Sequence, residues 1–443
     1  MRFPAAILAM TLATAPLGAD AADLVVWWEK GFYPREDEAV AEIIAAFEQE
    51  TGKQVELVQP AQYEMNDKVR AALAAGQPPD FLYGTITGWG TWAYEDQLAD
   101  LEDVLRPVLD LFDADAVDAA ISLNGRTGQR GLYGLPMGRR SNHVHVWKSL
   151  LEGAGFTLAD IPKEWDASWS FWCDRVQPAV REALGRDDIW GVGFSMAPNV
   201  DAENGIEQFQ LAYGAPWLDR DRRLQVDDPK IREGMIKALE AYTLIWRKRC
   251  TPPDATSWTS AGNNEAFIAQ TVVMTTNATL SIPGALRTAR HDDYYENAAT
   301  VDWPNGANGL PLIIDGGFAH GVVFKDGKNP ALASDFVRFL AEGWIAHWLT
   351  FAGDRWLPPM RKLVEQPFWL DPRDPHRMRA AIQILTRPHH SPGPGVRDQE
   401  WRSDRIGEEE IWGNAVHRVS ADGITPEQAI DEAITRIKQI FSE

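Results

Sequence analysis

The hydrophobic and polar positions after residue 22 follow two periods, one typical of strands and one typical of helices. The apolar run "DLVVWW" has the length of a buried strand. It is followed by "REDEAVAEIIAAFEQETG", an amphipathic pattern with acidic residues in its first turn and Gly52 at its end. A second strand in "KQVELV", a helix in "YEMNDKVRAALAAG" and a strand in "QPPDFLYG" come next. This alternation predicts a parallel sheet with helices on its faces.

The side chains that follow these three strands are expected to meet. Right-handed crossovers place the carboxyl ends of parallel strands at one edge of the sheet, where open α/β sheets bind ligands. The residues concerned are Trp28 and Glu29 after the first strand, Tyr63 after the second, and Thr85 and Trp89 after the third. A flat indole suits a sugar ring, and the polar groups suit its hydroxyls. We therefore expect these five residues to contact a ligand.

The paired tryptophans at the end of the first strand need separate treatment. Side chains alternate along a strand, so one of Trp27 and Trp28 should face the core while the other is free to line a cleft. We favour Trp28 as the ligand contact. The alternative is that both are core residues, as large buried aromatic side chains usually are.

The rest of the chain continues the same alternation. Strands are predicted in "DIWGVGFSM", "TVVMTTN" and "GGFAHGVVFK", and helices in "DDPKIREGMIKALEAYTLIW", "NPALASDFVRFLAEGWIAHWLTFAG" and "TPEQAIDEAITRIKQIFSE". Thr425 is the expected N-cap of the last helix, with Pro426 at its first position. A chain of 443 residues has room for two lobes of ordinary size. The fold class predicted is therefore α/β.

The first 21 residues have the pattern of a cleaved secretion signal. Arg2 precedes an apolar stretch, and small residues at Ala19 and Ala21 form a cleavage box. The apolar stretch is too short to span a bilayer. No cysteine follows it to carry a lipid anchor. We expect an exported protein, free in the periplasm.

Charge and cysteine content narrow the partners and the compartment. The net charge of −21 disfavours nucleic acid and anionic lipid as partners. Cys173 and Cys250 are the two cysteines of the chain, and in an exported protein a disulfide between them is the first expectation. Two free thiols are the alternative.

The order of several motifs resembles that of one known family. The motifs are "LVVWW", "RAALAAGQPPDF", "GLYGLPMG", "IPKEWDASWSFW", "FIAQTVVMTTNAT", "NPALASDFVRFL", "WLPPMRKL" and "QEWRSDRI". In this order they resemble the extracellular solute-binding proteins of ABC importers, in the family of the maltose-binding and glucose/mannose-binding proteins. The resemblance runs over essentially the whole chain after the signal. Thr279 stands where that family often has a ligand-stacking Trp, so the ligand need not be that of a well-known member.

The resemblance implies a two-lobed periplasmic-binding-protein fold of type II, with solute held between the lobes. The chain would cross between lobes near Gly138, near Asp315 and after about Ala352. The N-terminal lobe would then comprise residues 22–138 and 315–352, and the C-terminal lobe residues 139–314 and 353–443. The implied partners are a small-molecule solute and an ABC permease in the inner membrane. We expect a monomer without catalytic activity, cofactor or metal.

The resemblance also implies further ligand-binding residues. Arg140 lies at the first crossing, and the adjacent Arg139 should point to the opposite face if the segment is extended. The alternative for this arginine pair is a salt bridge between lobes. The other positions that match family contacts are Asn277, Asp315, Arg355 and His389 or His390.

Two further functions are alternatives to the capture of a neutral carbohydrate or polyol. The arginines would suit an anionic sugar that carries a sulfonate, phosphate or carboxylate. A secreted carbohydrate-active enzyme is the other alternative, although no segment indicates a catalytic carboxylate pair. His143 and His145 share one face of a predicted strand and could hold a metal, but structural histidines are the favoured interpretation.

Overall fold

The computed structural model of the protein describes residues 22–86, 88–219, 223–312, 317–351, 355–386 and 400–443. The predicted signal peptide and the predicted site residues Asp315 and His389 lie outside this part of the chain. Within it, helices and strands alternate as predicted and form two α/β lobes. The α/β fold class is confirmed.

The strands build one main sheet in each lobe. The first sheet has the order β2-β1-β3-β11-β6, and the second has the order β10-β7-β9-β8. The strands are β1 (Leu24–Trp28), β2 (Val55–Val58), β3 (Phe81–Gly84), β4 (Ile121–Leu123), β5 (Arg130–Leu132), β6 (Leu135–Arg139), β7 (His143–Trp147), β8 (Trp190–Gly193), β9 (Val272–Asn277), β10 (Ala298–Val301) and β11 (Phe318–Val323).

The first sheet confirms the predicted parallel start of the fold. β1 pairs in parallel with both β2 and β3, so the carboxyl ends of the three strands lie at one edge. β11 and β6 then join in antiparallel register. The chain passes to the second sheet between β6 and β7 and has returned to the first by β11.

Helices cover both sheets. They are α1 (Pro34–Thr51), α2 (Gln62–Ala74), α3 (Trp89–Tyr94), α4 (Glu102–Leu105), α5 (Ala114–Ala119), α6 (Lys148–Gly153), α7 (Trp165–Ser170), α8 (Gln177–Leu184), α9 (Val200–Ala212), α10 (Pro229–Arg247), α11 (Gly262–Ile268), α12 (Ser281–Ala289), α13 (Pro330–Phe339), α14 (Ile345–Phe351), α15 (Arg361–Val364), α16 (Arg377–Thr386), α17 (Glu400–Glu408), α18 (Ile411–Ser420) and α19 (Pro426–Ser442). Thr425 caps α19 as predicted: its side chain accepts a hydrogen bond from the backbone N–H of Gln428.

The single long helix predicted over residues 329–353 is interrupted. α13 and α14 are separated at Gly343, whose backbone is not helical. A break there lets the two halves pack at different angles. Both halves remain in the first lobe, where α14 packs against α1.

The predicted division into lobes needs one correction, for the first part of residues 353–443. Trp356, Leu357 and Trp369 are buried in the core of the first lobe rather than the second. Reciprocal backbone hydrogen bonds between Arg139 and Leu357, of 2.7 and 3.1 Å, attach this segment to the end of β6. The helices α18 and α19 do pack in the core of the second lobe. The last crossing therefore comes after α16.

Helix α17 contacts both lobes. On one side it packs against α3 of the first lobe, where Trp401 stacks on Tyr94 with the ring centroids 4.4 Å apart. On the other side it packs against α18 and α19, and Ile406 belongs to the core of the second lobe. α17 is therefore a bridge between lobes that is separate from the strand crossings.

Cys173 and Cys250 form a disulfide within the second lobe. None of the helices in the described residues is both long and apolar enough to cross a membrane.

Candidate functional site

A cavity with a volume of about 360 Å³ lies between the lobes, and we call it the interlobe cavity. The first lobe contributes Phe32, Gln62, Thr85, Arg140, Arg355 and Trp356; the second contributes Val200, Asp201, Asn204, Ser260, Asn277, Ala278, Thr279 and Ser281. The lining combines amides, hydroxyls, charged groups and two aromatic side chains. A ligand held here would contact both lobes.

An adjoining cavity with a volume of about 300 Å³ extends into the second lobe, and we call it the inner cavity. The two cavities share Asp201, Asn204, Asn277 and Ala278. The remaining lining residues of the inner cavity are Asn142, Gly193, Phe194, Ser195, Gly205, Tyr242, Asn263, Thr276 and Trp303. The candidate site thus has two adjoining parts, an outer one between the lobes and an inner one with aromatic walls.

Strand ends and helix starts position these side chains. Thr85 directly follows β3, and Arg140 directly follows β6. In the second lobe, β8 leads into α9, whose N-cap Asn199 accepts hydrogen bonds from the backbone N–H groups of Asp201 and Ala202. The first turn of α9 carries Asp201 and Asn204 into the cleft. Both lobes therefore present strand ends and helix starts to the ligand, as α/β sheets generally do.

Arg355 is held in a buried network of charges. Its guanidinium forms ion pairs with Glu29 and, at 3.0 Å, with Glu36. All three side chains are almost completely buried. Burial raises the pKa of Glu36 to about 7, although Arg355 opposes that shift. The positive charge of Arg355 is therefore already balanced by the protein.

Glu29 supports the wall of the interlobe cavity. One of its carboxylate oxygens accepts a hydrogen bond from the backbone N–H of Thr85, and the other pairs with Arg355. Thr85 and Arg355 line the cavity, whereas Glu29 is 3 % exposed and lies behind them. Glu29 therefore holds two lining residues in position from behind. It is not itself part of the cavity wall, although it is predicted to contact the ligand.

The adjacent arginines at the first crossing point in different directions, as expected for an extended segment. Arg139 pairs with Asp113 and Asp115 at 2.7 Å each, and its guanidinium lies over the ring of Phe318. Arg140 instead lines the interlobe cavity. Its position at the end of β6 is held by a hydrogen bond from its own backbone N–H to the carbonyl of Gly317.

Asp201 is the carboxylate that the second lobe presents to both cavities. Burial raises its pKa to about 7. Among the described residues, none pairs with this carboxylate as an ion or donates a hydrogen bond to it. The N-terminus of α9, in whose first turn Asp201 lies, is the favourable electrostatic contact of this carboxylate.

Asn277, at the end of β9, lines both cavities as predicted for a site residue. Its side-chain amide donates to Asn264 Oδ1 at 2.5 Å and to Ser281 Oγ at 3.3 Å. Its oxygen accepts from the backbone N–H of Thr279 at 3.0 Å. These bonds fix the orientation of the amide and the turn that follows β9.

Besides Glu29, three predicted contacts lie outside the two cavities. Trp28 is 1 % exposed and packs among Phe81, Tyr83 and Trp348 in the core, so its predicted role as a ligand contact is wrong. Helices cover both faces of the first sheet, which leaves neither Trp27 nor Trp28 free for the cleft.

Trp89 and Tyr63 depart from their predictions in opposite directions. Trp89 is buried in a smaller core cluster and packs against His320, with the ring centroids 4.8 Å apart. Tyr63 is 64 % exposed, and the adjacent Gln62 lines the interlobe cavity in its place. The segment after the second strand therefore does reach the cleft, but through Gln62, the first residue of α2, and not through Tyr63.

Several lining residues are absent from the sequence-based prediction. The most informative are Asp201 and Asn204, because they lie at the start of a helix that directly follows a strand. The rule that ligands bind at the carboxyl ends of strands placed Thr85 in the first lobe. The same rule predicts Asp201 and Asn204 in the second lobe. Trp356, by contrast, follows no local pattern that indicates a cleft.

His143 and His145 are buried side by side on β7, with ring centroids 6.2 Å apart. Nδ1 of His145 lies 3.0 Å from the hydroxyl of Thr300. Burial holds the pKa of His145 well below its usual range. In the described part of the chain, no group of three or more His, Cys, Asp or Glu side chains is arranged to hold a metal ion.

Comparison with protein families matches residues 42–372 to the bacterial extracellular solute-binding proteins. Comparison with curated proteins gives no match. The family match spans most of the chain, from within α1 to the segment between α15 and α16.

Solved structures of such proteins share the fold. A solute-binding protein of an ABC transporter from Thermotoga lettingae, bound with alpha-D-tagatose, superposes with a TM-score of 0.74 at 21% identity, covering 94% of this chain and 99% of that one. A sugar transporter protein from Arthrobacter chlorophenolicus with bound laminaribiose gives 0.74 at 14% identity, covering 94% and 98%. A solute-binding protein from Agrobacterium radiobacter in complex with ribitol gives 0.73 at 16% identity, with the same coverage.

Proposed function

Because the chain belongs to the family of bacterial extracellular solute-binding proteins, we propose that it captures a carbohydrate or polyol between its lobes and delivers it unchanged to an ABC permease. The observation that carries this proposal is the interlobe cavity, which is lined by polar side chains from both lobes. A solute that contacts both lobes stabilises the closed form specifically, and closure is the event that a permease can recognise.

The chemistry of the cavity supports a hydroxylated ligand. Amide and hydroxyl groups such as those of Gln62, Asn204 and Ser260 exchange hydrogen bonds with hydroxyls in both directions. Phe32 and Trp356 supply apolar surface for the C–H face of a ring or chain. The solved structures with tagatose, laminaribiose and ribitol show this fold with ligands of that class.

The site of action that we propose is the periplasm. The family is extracellular, the second lobe holds a disulfide, and the first 21 residues have the pattern of a cleaved signal. We propose that the exported protein works as a monomer without a lipid anchor.

The two alternative functions are less well supported. Of the three arginines that favour an anionic sugar, Arg139 and Arg355 are each paired with two carboxylates, which leaves that alternative to Arg140. The solved relatives compared above are substrate-binding proteins rather than enzymes, which supports binding without catalysis.

A thermal-shift screen tests the proposal. The protein, purified without refolding, would be heated with neutral sugars, polyols and their sulfonated, phosphorylated or carboxylated analogues. A true ligand binds the native state alone and raises the Tm. We expect shifts with sugars or polyols, and a flat response to the whole panel would overturn the assignment.

A pair of variants ties the shift to the cleft. Asn204→Ala removes an amide that lines both cavities, whereas Gln77→Ala removes an amide exposed on the surface of the first lobe. We expect the first to lose about 10-fold or more in affinity, equivalent to about 1.4 kcal/mol, and the second to bind normally. Equal affinities for the two variants would place the ligand elsewhere.

A further inference from the structure

The inner cavity contains one charge in an otherwise neutral and largely aromatic lining. Asp201 is the one acidic side chain among its lining residues, and none of these residues carries a positive charge. The walls include the rings of Phe194, Tyr242 and Trp303 and the amides of Asn142, Asn204 and Asn263. Both arginines of the site, Arg140 and Arg355, line the interlobe cavity and not the inner one.

Three of the hydrogen-bond donors that line the inner cavity with Asp201 are committed to other acceptors. The hydroxyl of Tyr242 donates to the carbonyl of Ser195 at 3.0 Å. The amide of Asn263 donates to the carbonyl of Thr276 at 2.9 Å. The amide of Asn277 donates to two other side chains. The structure thus holds a carboxylate at a cavity wall without giving it a donor.

An unpaired, partly desolvated carboxylate is costly to a protein, and a ligand that supplies a cation removes that cost. A protonated amine brings both the opposite charge and up to three N–H donors. Aromatic faces around it add cation–π attraction, which is stronger in a desolvated site. An anion in this cavity would instead be repelled by Asp201.

From this geometry we propose that the solute is an aminated, hydroxylated compound, an amino sugar or amino polyol, whose protonated amine binds Asp201 in the inner cavity. Its hydroxylated remainder occupies the interlobe cavity, where Arg140, Thr85 and Gln62 are the facing groups of the first lobe. This inference rests on the proposed function and specifies its substrate class. It also assigns the two cavities different tasks, since the inner one selects the amine and the outer one couples the ligand to closure.

Three ligands with one carbon skeleton test the proposal on the native protein. Glucosamine carries the protonated amine, glucose a hydroxyl in its place, and N-acetylglucosamine an uncharged amide. Galactosamine, galactose and N-acetylgalactosamine form a second set. Isothermal titration calorimetry at neutral pH gives each Kd. We expect at least one amine to bind about 10-fold or more tighter than both of its neutral counterparts.

Two matched variants locate the source of that preference. Asp201→Asn keeps the shape of the side chain and removes its charge; Asp187→Asn removes a charge from an exposed site in the same lobe. We expect the ratio of amine to neutral affinity to fall to about 1 in Asp201→Asn and to stay unchanged in Asp187→Asn. The melting temperatures of the variants without ligand show whether both remain folded.

The outcomes separate this inference from the proposed function. Neutral sugars that bind as tightly as the amines would overturn the inference and leave carbohydrate capture standing. A preference for amines that survives in Asp201→Asn would also overturn it, because another group would then recognise the charge. Binding of no sugar or polyol in any form would overturn both.

Discussion

The guanidinium of Arg355 forms a buried ion pair with Glu29, 326 positions earlier in the chain. Glu29 follows the first strand of the first sheet, and Arg355 lies in the segment that packs back on the same lobe after β11. Glu36, at the start of α1, completes the network at 3.0 Å. The pair therefore joins distant parts of the chain directly behind the wall of the interlobe cavity.

Replacing Arg355 by Met should destabilise the protein strongly. The substitution leaves two carboxylates buried without their cation, and breaking one side of a buried ion pair costs about 3–5 kcal/mol. Arg338→Met is the control, because Arg338 is half exposed in its pair with Asp335 and such pairs contribute less than about 1 kcal/mol. Urea unfolding followed by tryptophan fluorescence measures both. Similar losses in the two variants would show that the buried network does not stabilise the lobe.

A buried hydrogen-bonded chain joins His145 and Thr300 of the second lobe to His376 and fixes the tautomers of the two histidines. The carbonyl of Tyr294 accepts from Nε2 of His376 at 3.0 Å, so Nδ1 of a neutral His376 must accept. It accepts from the hydroxyl of Thr300 at 2.6 Å. The oxygen of Thr300 in turn accepts from Nδ1 of His145 at 3.0 Å. Burial lowers the pKa of both histidines, so both imidazoles are neutral in the folded protein near neutral pH.

Acid should destabilise the fold through these histidines. Burial lowers the pKa of His376 from 6.5 to about 4, so the unfolded chain takes up a proton at a higher pH than the folded one. The stabilising contribution is full above pH 6.5 and is lost as the pH falls toward 4. The variant His376→Gln has no imidazole to protonate, so its stability does not fall with pH for this reason. We expect the unfolding free energies of the wild type and the variant to converge by up to about 3 kcal/mol over that range.

Urea unfolding at a series of pH values measures the effect. The raised pKa of Glu36, about 7, acts in the opposite direction because the folded protein then binds the proton first. That contribution is present in both proteins and cancels in their difference. A constant difference from pH 7 to pH 4 would contradict the neutral assignment of His376.

Reduction of the disulfide should lower the stability of the second lobe. Cys173 and Cys250 are 77 residues apart, and a crosslink over a loop of that length restricts the unfolded chain by about 4 kcal/mol in the chain-entropy account. We expect Cys173→Ala combined with Cys250→Ala to reduce the Tm, and a reducing agent to do the same to the wild type. The double variant should not respond to the reductant. A Tm that is unchanged in all three cases would show that the bond does not contribute to stability.

Local patterns predicted the elements better than the site. The strand Leu24–Trp28, the helix that ends before Gly52 and the cap at Thr425 all depend on neighbours along the chain, and all three are as predicted. The direction of Trp28 depends instead on which helices cover each face of the sheet. The sequence of the strand does not contain that information.

Local patterns likewise predict only some of the residues that line the cleft. The strand-end rule placed Thr85 at the cavity, and it applies equally to Asp201, which follows β8. Trp356 is different, because its place beside the cleft depends on backbone hydrogen bonds between Arg139 and Leu357. Contacts of such long sequence separation have no periodic signature.

The contact between α3 and α17 gives a last prediction, about the bridge between the lobes. The backbone N–H of Gly90 donates to the carboxylate of Asp404 at 2.7 Å, and a Cβ at Gly90 would lie 2.5 Å from the same oxygen. Gly90→Ala should therefore displace Asp404 and lose the hydrogen bond, with a cost of about 1–3 kcal/mol. Alanine at an open helical glycine, as in Gly153→Ala, should instead be neutral or stabilise by up to about 1 kcal/mol.

Because α17 also packs in the second lobe, Gly90→Ala should weaken ligand binding as well as lower the stability of the protein. A closed form held less firmly binds its solute more weakly, since part of the binding energy must then restore closure. We expect a lower Tm together with a higher Kd for the ligand found in the screen, and neither change in Gly153→Ala. If Gly90→Ala lowered the Tm but left the Kd unchanged, the contact would stabilise the first lobe alone and α17 would play no part in closure.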